Sequence, residues 1–317
     1  MNVFTTPGYL ETIGELYHPG KRRTVERFTL EGRVLRLLVL DGRGPMVDLP
    51  FYDYPQPLEG EAAAGPTRPL GYLPRTVVRT TPIEERTAPE PPGFQPSPYV
   101  DWSRFPDYAA YEALLHTRGT TRTADIERKR RKLERDVGPV RFLFDDPRPE
   151  AFEACLRWKS AQYKATGLGD MFADARNVEL FRRLRALGLV VVSSLSAGER
   201  LLAVHLGSLN DRRFGWWVPA YDPEFSRFSP GRLMMLELLK ESHRLGHLEF
   251  DFLIGAEDYK FAFATHNRVI GPVGTPPLLE RLKVEGTRRL KAWLQDSPRA
   301  YELARQVKRR LWRPPGT

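Results

Sequence analysis

The sequence predicts an α/β (α+β) protein built on a mixed central sheet, and three observations carry the prediction. Leu189 to Leu195, Leu201 to Leu209 and Arg213 to Pro219 are apolar runs of strand length, joined by Ser196-Ala197-Gly198-Glu199-Arg200 and by Asn210-Asp211-Arg212. Joins this short make hairpins, so the three strands are antiparallel. A helix from Pro230 to Leu245, closed by Gly246, then separates the third run from a strand at Leu248 to Ile254. Such a crossover adds a parallel neighbour and makes the sheet mixed. Finally, helix and strand signals alternate from Asp101 onward, whereas the first 100 residues hold 15 of the 28 prolines.

Taken in order, Thr24 to Leu30 and Arg33 to Leu40 form a hairpin about Glu31-Gly32, with the next turn at Asp41-Gly42. Tyr54 to Pro98 is dense in Pro, Gly, Glu and Thr with little periodicity, and reads as extended or loop-like. Ser103 to His116 is a helix, and Thr120 to Asp136 is a polar helix stopped at Gly138. Val140 to Phe144 is a strand turned by Asp145-Asp146-Pro147. Pro149 to Thr166 and Ala173 to Leu187 are helices, the second from the spacing of Leu180, Phe181, Leu184 and Leu187. A short helix at Glu257 to Ala264 and a strand at Arg268 to Val273 complete the sheet. The reading divides the chain into a β-containing Pro-rich unit (1–100), the main domain (101–275) and a basic helical tail (276–317).

Composition excludes several classes. No apolar run approaches the roughly 18 residues that span a bilayer, and the start of the chain lacks the basic and apolar pattern of a secretory leader. Cys155 is the single cysteine, so intrachain disulfides and cysteine-based metal cages are excluded. This pattern leads to an expectation of a cytoplasmic protein. The net charge is +9, but 11 Lys and Arg against four acids lie between Leu278 and Arg313. A nearly neutral globular part with a cationic tail does not suit a DNA reader built around a basic groove. The tail's apolar positions, among them Leu290, Trp293, Leu294, Tyr301, Val307, Leu311 and Trp312, either pack on the domain or rest on anionic lipid beside a membrane-bound synthase, at the inner membrane face.

Two segments carry chemistry. In Y-D-P-E-F-S-R-F-S-P-G-R (Tyr221 to Arg232), Ser229 can cap a helix, Pro230 sits at its first position, and Gly231 permits close approach to the backbone. With Arg232 in that first turn, this is an anion site suited to a pyrophosphate. In F-D-F-L-I-G-A-E-D-Y-K (Phe250 to Lys260), alternation aims Asp251 away from the aromatic face of Phe250 and Phe252. Gly255 then turns the chain into a helix bearing Glu257, Tyr259 and Lys260. An acid, a phenol and an amine there can deprotonate an amine and reprotonate a thiolate. His243 and His247 read as surface residues, Cys155 as a buried structural thiol, and the Arg128 to Lys132 cluster as a solvated helix face.

These segments, with W-K-S-A-Q-Y-K-A-T-G (Trp158 to Gly167), Asp170 and Phe172, resemble the FemAB-like branch of the GNAT acyltransferase superfamily over Arg122 to Ala264. Within that branch they are most similar to the CelD-like acetyltransferases linked to cellulose or exopolysaccharide synthesis. The resemblance implies a GNAT acyl-CoA N-acyltransferase fold. It implies transfer from acetyl-CoA, or another acyl-CoA, to an amine or hydroxyl of a small-molecule, glycan or peptide acceptor, with no metal. The pyrophosphate would lie on Ser229, Pro230, Gly231 and Arg232, and a backbone N–H of the strand carrying Trp217 and Val218 would polarise the thioester carbonyl. Tyr259 would protonate the thiolate, and Asp251 or Glu257 would act as base. The first hundred residues are short for the first of two GNAT-like halves. Two alternatives stay open: an aminoacyl-tRNA-dependent enzyme acting on peptidoglycan precursors, and a non-catalytic scaffold of the same fold.

Overall fold

The computed structural model describes residues 1–47, 49–118 and 122–278; the tail helices read beyond Leu278, and the start of the polar helix read at Thr120, lie outside the described residues. The chain begins with α1 (Pro7–Tyr17), β1 (Arg23–Leu30), β2 (Arg33–Leu40), β3 (Pro45–Met46), β4 (Arg68–Pro69), β5 (Tyr72–Pro82) and β6 (Gln95–Asp101). It continues with α2 (Tyr108–Thr117), α3 (Arg122–Asp136), β7 (Val140–Leu143), α4 (Pro149–Ala165), α5 (Ala175–Ala186), β8 (Val190–Ala197), β9 (Arg200–Asn210) and β10 (Arg213–Tyr221). The last elements are α6 (Pro230–Arg244), β11 (Glu249–Asp251), α7 (Asp258–Phe263) and β12 (His266–Gly274).

The expected mixed sheet is present. It has eight strands in the order β5-β12-β6-β11-β10-β9-β8-β7. Strands β7 to β10 are antiparallel neighbours, and β11 joins β10 in parallel after the α6 crossover. A separate sheet, β3-β2-β1-β4, contains the predicted hairpin, with Leu30 opposite Arg33 and positive φ at both Glu31 and Gly32. Two successive positive φ values give the turn whose twist matches a hairpin.

The Pro-rich stretch is more ordered than its sequence suggests. Strands β5 and β6 come from it, and β6 lies between β12 and β11, so residues 72–101 share one sheet with residues 140–274, across the boundary read at residue 101. Two prolines in an interior strand need an explanation, since each removes a ladder donor. Pro96 and Pro98 turn their carbonyls to the chain just past β11, accepting from Gly255 N and Phe252 N at 3.0 and 2.9 Å. The missing N–H groups therefore lie on the side where β11 has already ended.

That early end positions the site. β11 pairs with β10 only from Arg213↔Glu249 to Gly215↔Asp251. Beyond it, residues 252–255 follow β6, while β10 stays with β9, so the two parallel strands part. A bulge at Trp216-Trp217 sharpens the parting, because the register moves from Gly215↔Ser208 to Val218↔Leu206. One sheet face packs Phe214, Trp216, Phe250 and Phe252 with α6; the other packs Val218, Leu253, Cys155 and α1 residues Tyr9 and Ile13. Cys155 is fully buried, and burial pushes its thiol up to about 12.

Candidate functional site

A cleft of about 500 Å³ opens beside the second half of β10, past the point where β10 and β11 part. Lys129 of α3, Lys159 and Gln162 of α4, Trp216, Pro219 and Tyr221 of β10, Ser229 to Arg232 at the start of α6, and Tyr259 of α7 line it. Of the ten site residues read from sequence, the structure brings Ser229, Pro230, Gly231, Arg232 and Tyr259 together here. Among the described residues lining the cleft there are three cations and no carboxylate.

The local chemistry of the α6 start differs from the expected cap. Ser229 occupies the N-cap position with φ 54°, in the left-handed region, and its side chain makes no cap hydrogen bond. Instead Lys129 Nζ donates to Ser229 Oγ at 2.9 Å. Lys129, also paired with Asp125 at 3.1 Å on its own helix, thus lines the cleft as well as the face assigned to it. A methyl group built on Gly231 would touch only the Tyr221 ring, at 3.5 Å, so the space over this backbone belongs to the cleft. Lys159 Nζ donates to Gln162 Oε1 at 3.1 Å and to Pro219 O at 3.3 Å, and burial lowers its pKa.

Tyr259 is held by its neighbours. Trp216 Nε1 donates to the Tyr259 hydroxyl at 3.2 Å, and the Trp216 indole stacks on His205 at 4.3 Å and 13°. Burial raises the phenol to about 12, against the Trp216 hydrogen bond that favours its anion. It therefore keeps its proton at neutral pH. His205 is buried and neutral, its pKa lowered to about 3 by burial, and its Nε2 accepts from Trp217 N at 3.0 Å. The N–H of Trp217 is thus committed to the imidazole, and the Trp217 ring lies on the opposite sheet face against Phe4, Phe51 and Phe181. Val218 is buried on that same face.

The remaining predicted residues lie around the end of β11. Asp251 is 5% exposed, accepting from Tyr54 Oη at 2.9 Å, Ser97 Oγ at 3.2 Å and Leu253 N at 2.8 Å, and paired with Arg268 at 3.3 Å. Burial raises its carboxyl, with Arg268 opposing. Every strong acceptor direction is used within the protein, so Asp251 joins the strands rather than facing the cleft. Lys260 is buried, donating to Ile254 O at 2.9 Å and pairing at 3.1 Å with the more exposed Glu257. His247, read as a surface residue, is 8% exposed and bonded to Ser242 Oγ at 3.0 Å.

Residues 120–261 match the family described as acetyltransferase (GNAT) domain. The matched segment, under half of the chain, carries the GNAT-like α/β fold that the sequence predicts. The activity class is that of an acyltransferase. Among solved structures the chain is similar to FemX (10% identity, 86% of this chain and 91% of that one, TM-score 0.49). It is also similar to L-PGS from Bacillus licheniformis (11%, 88% and 91%, TM-score 0.45) and to a tandem GNAT protein from the clavulanic acid biosynthesis pathway (11%, 86% and 95%, TM-score 0.36). Likenesses this distant carry no argument about activity. A search among curated proteins gave no match.

One residue beside the GNAT domain escaped the sequence reading. Asp53, from the N-terminal unit, is half-buried and accepts from Ile254 N at 3.1 Å. Burial, opposed by that hydrogen bond, raises its carboxyl to about 6; Asp251 adds to the rise, while Lys260 and Arg75 oppose it. It sits in F-Y-D-Y-P, where no spacing rule marks a carboxylate as chemical. Only the pairing of distant segments brings it to the GNAT domain.

Proposed function

We propose that the chain is an acyl-CoA-dependent acyltransferase that uses acetyl-CoA and carries its donor in the cleft at the start of α6. The carboxylate-free lining with Lys129, Lys159 and Arg232 supports this reading most directly. Three cations beside a helix N-terminus suit a pyrophosphate, and they would repel no part of it. The parting of β10 and β11 beside the cleft is where an extended thioester arm would lie. Tyr259 borders the same cleft, so its phenol would deliver a proton to the departing sulfur, and Trp216 Nε1 would steady the phenolate left behind. The acceptor supplies an amine or hydroxyl. The resemblance of the Trp158 to Gly167 and Phe250 to Lys260 segments supports an envelope polysaccharide as its source.

Calorimetric titration with acetyl-CoA tests the donor. Binding in the micromolar range is expected for the wild type, and at least tenfold weaker binding for Arg232→Glu and for Lys129→Glu, each of which puts a negative charge against a phosphate. Binding to folded protein that ignores both substitutions would remove the cleft from the donor site. Preference for an aminoacyl-tRNA over acetyl-CoA in the same titration would replace the donor.

A further inference from the structure

We propose that the acceptor amine enters the gap between β10 and the chain beyond β11 from the face covered by residues 51–54, and that Asp53 takes its proton. The inference rests on the donor reading above and adds a residue, a face and a substrate class to it.

Residues 51–54 bridge the two parted strands. At one end, Phe51 packs against Trp217 of β10, with ring centroids 6.3 Å apart. At the other, the Tyr54 hydroxyl donates to Asp251 of β11 at 2.9 Å. Between them Asp53 Oδ2 accepts the N–H of Ile254, just past the end of β11. Asp53 therefore lies over the middle of the gap. Arg75 fixes the bridge from behind, donating to Tyr52 O at 3.2 Å and Asp53 O at 3.0 Å. The carbonyl of the same residue, Ile254, accepts from Lys260 Nζ at 2.9 Å, and Lys260 follows Tyr259 in α7. One residue, through its two flanking peptides, thus links the carboxylate on this face to the helix that bears Tyr259.

The backbone here is strained on both sides of the gap. Phe51 has φ 55° and Leu253 φ 59°. Bulky residues enter the left-handed region only where surrounding structure imposes it, and such strain collects at functional sites. Here it turns the chain so that Asp53 faces Ile254 while its neighbours Tyr52 and Tyr54 are buried.

The chemistry balances. An acceptor ammonium gives one proton to the Asp53 carboxylate, and the free amine attacks the carbonyl carbon of the thioester. The C–N bond forms and the C–S bond breaks; sulfur takes the Tyr259 proton, and the second proton leaving nitrogen restores the phenol. The proton on Asp53 passes to solvent. The charged groups facing Asp53 are Asp251 on β11, itself paired with Arg268, Lys260 on α7, paired with Glu257, and Arg75 on β5. With a carboxyl near 6, the base form prevails at neutral pH and is lost as pH falls through that value.

The test uses the full chain, acetyl-CoA as donor and n-butylamine as the acceptor probe, with released CoA read by a thiol reagent. Amine-dependent release by the wild type should rise with pH about a midpoint near 6. Asp53→Asn should lower kcat by roughly 100-fold or more and abolish that rise, with acetyl-CoA affinity within about twofold of wild type; Asp53→Glu should recover part of the rate. An Asp53→Asn protein that keeps both rate and pH limb overturns the proposal, as does one that loses acetyl-CoA affinity, which would mark a structural role. A wild type that binds acetyl-CoA without amine-dependent release overturns the amine assignment alone. A wild type that binds no acetyl-CoA removes the donor reading and the proposal with it.

Discussion

Tyr259→Phe lowers the maximal rate of CoA release about 100-fold while leaving acetyl-CoA affinity within about twofold, because the substitution deletes one transferable proton and keeps the ring. The Phe ring retains the packing against Phe252, whose centroid lies 6.5 Å from that of Tyr259. Trp216 Nε1 loses its acceptor but is near enough to the cleft to find water. The pH dependence follows from the direction of the shift. Burial raises the phenol to about 12, so the acid form persists through the alkaline range and wild-type turnover shows no loss assignable to Tyr259 below about pH 10. Steady-state rates of both proteins from pH 5 to 10, beside calorimetric Kd values, check this. Equal kcat in the variant would assign sulfur's proton to another group.

The second large effect is on stability. Arg268→Met destabilises the fold by about 3 to 5 kcal/mol, the usual consequence of stranding buried charge. Arg268 is 4% exposed, pairs with Asp251 at 3.3 Å and Glu249 at 2.5 Å, and lies 3.7 Å from the Tyr99 ring centroid. Burial opposes its charge, but Tyr54, Glu249, Asp251 and Tyr99 together outweigh that opposition and hold it protonated. Without it, Asp251 is left buried beside Glu249, its neighbour on the same strand β11, and among the described residues Glu249 keeps only Arg213 at 3.5 Å. Burial already raises the Asp251 carboxyl and Arg268 opposes that rise, so removing Arg268 raises it further and the variant's stability falls as pH rises through the carboxylate range. Urea unfolding should therefore find the variant nearer to wild type at pH 5 than at pH 8. A gap that does not change with pH would show that packing, and not charge, is what Arg268 supplies.

Sequence reading and structure agree where the signal is local. The hairpin at Glu31-Gly32, the antiparallel run β8 to β10 and helix α6 all rest on period and turn chemistry within a few residues. The S-P-G-R segment and Tyr259 were visible for the same reason, since a helix start and a polar turn after a strand are local patterns. β11 is shorter than its Leu248 to Ile254 pattern because Leu253 adopts positive φ and leaves the ladder. Strands β5 and β6 were hidden because proline hides the alternation on which a strand is recognised. Pro96 and Pro98 are tolerated only because their N–H positions face no ladder, a fact about another segment 150 residues away. Helix α1 was masked in the same way, its Pro7-Gly8 start resembling a loop. Lys129 and Asp53 escape sequence reading for the complementary reason: Lys129 reaches the cleft and Asp53 the end of β11 from distant segments, so nothing near either in sequence signals the partner.

The insertion of β6 between β11 and β12 sets a condition on assembly. Residues 95–101 are the middle rail of a three-rail track whose outer rails are made some 150 residues later. A nascent chain that has finished β10 can close its hairpins, but the last third of the sheet waits for Gly274 and then threads around a strand already in hand. Loop closure over such separations is slow, and it delays the final architecture more than local helix formation does. A fragment cut at residue 101 would fare worse. It would keep β11 and β12 but leave between them a slot one strand wide, bordered by two rows of unpaired peptide groups about 9.6 Å apart. Such open edges invite pairing with other chains. The proline-rich beginning, which reads as extended or loop-like, is the piece that fills this slot and leaves both edges paired.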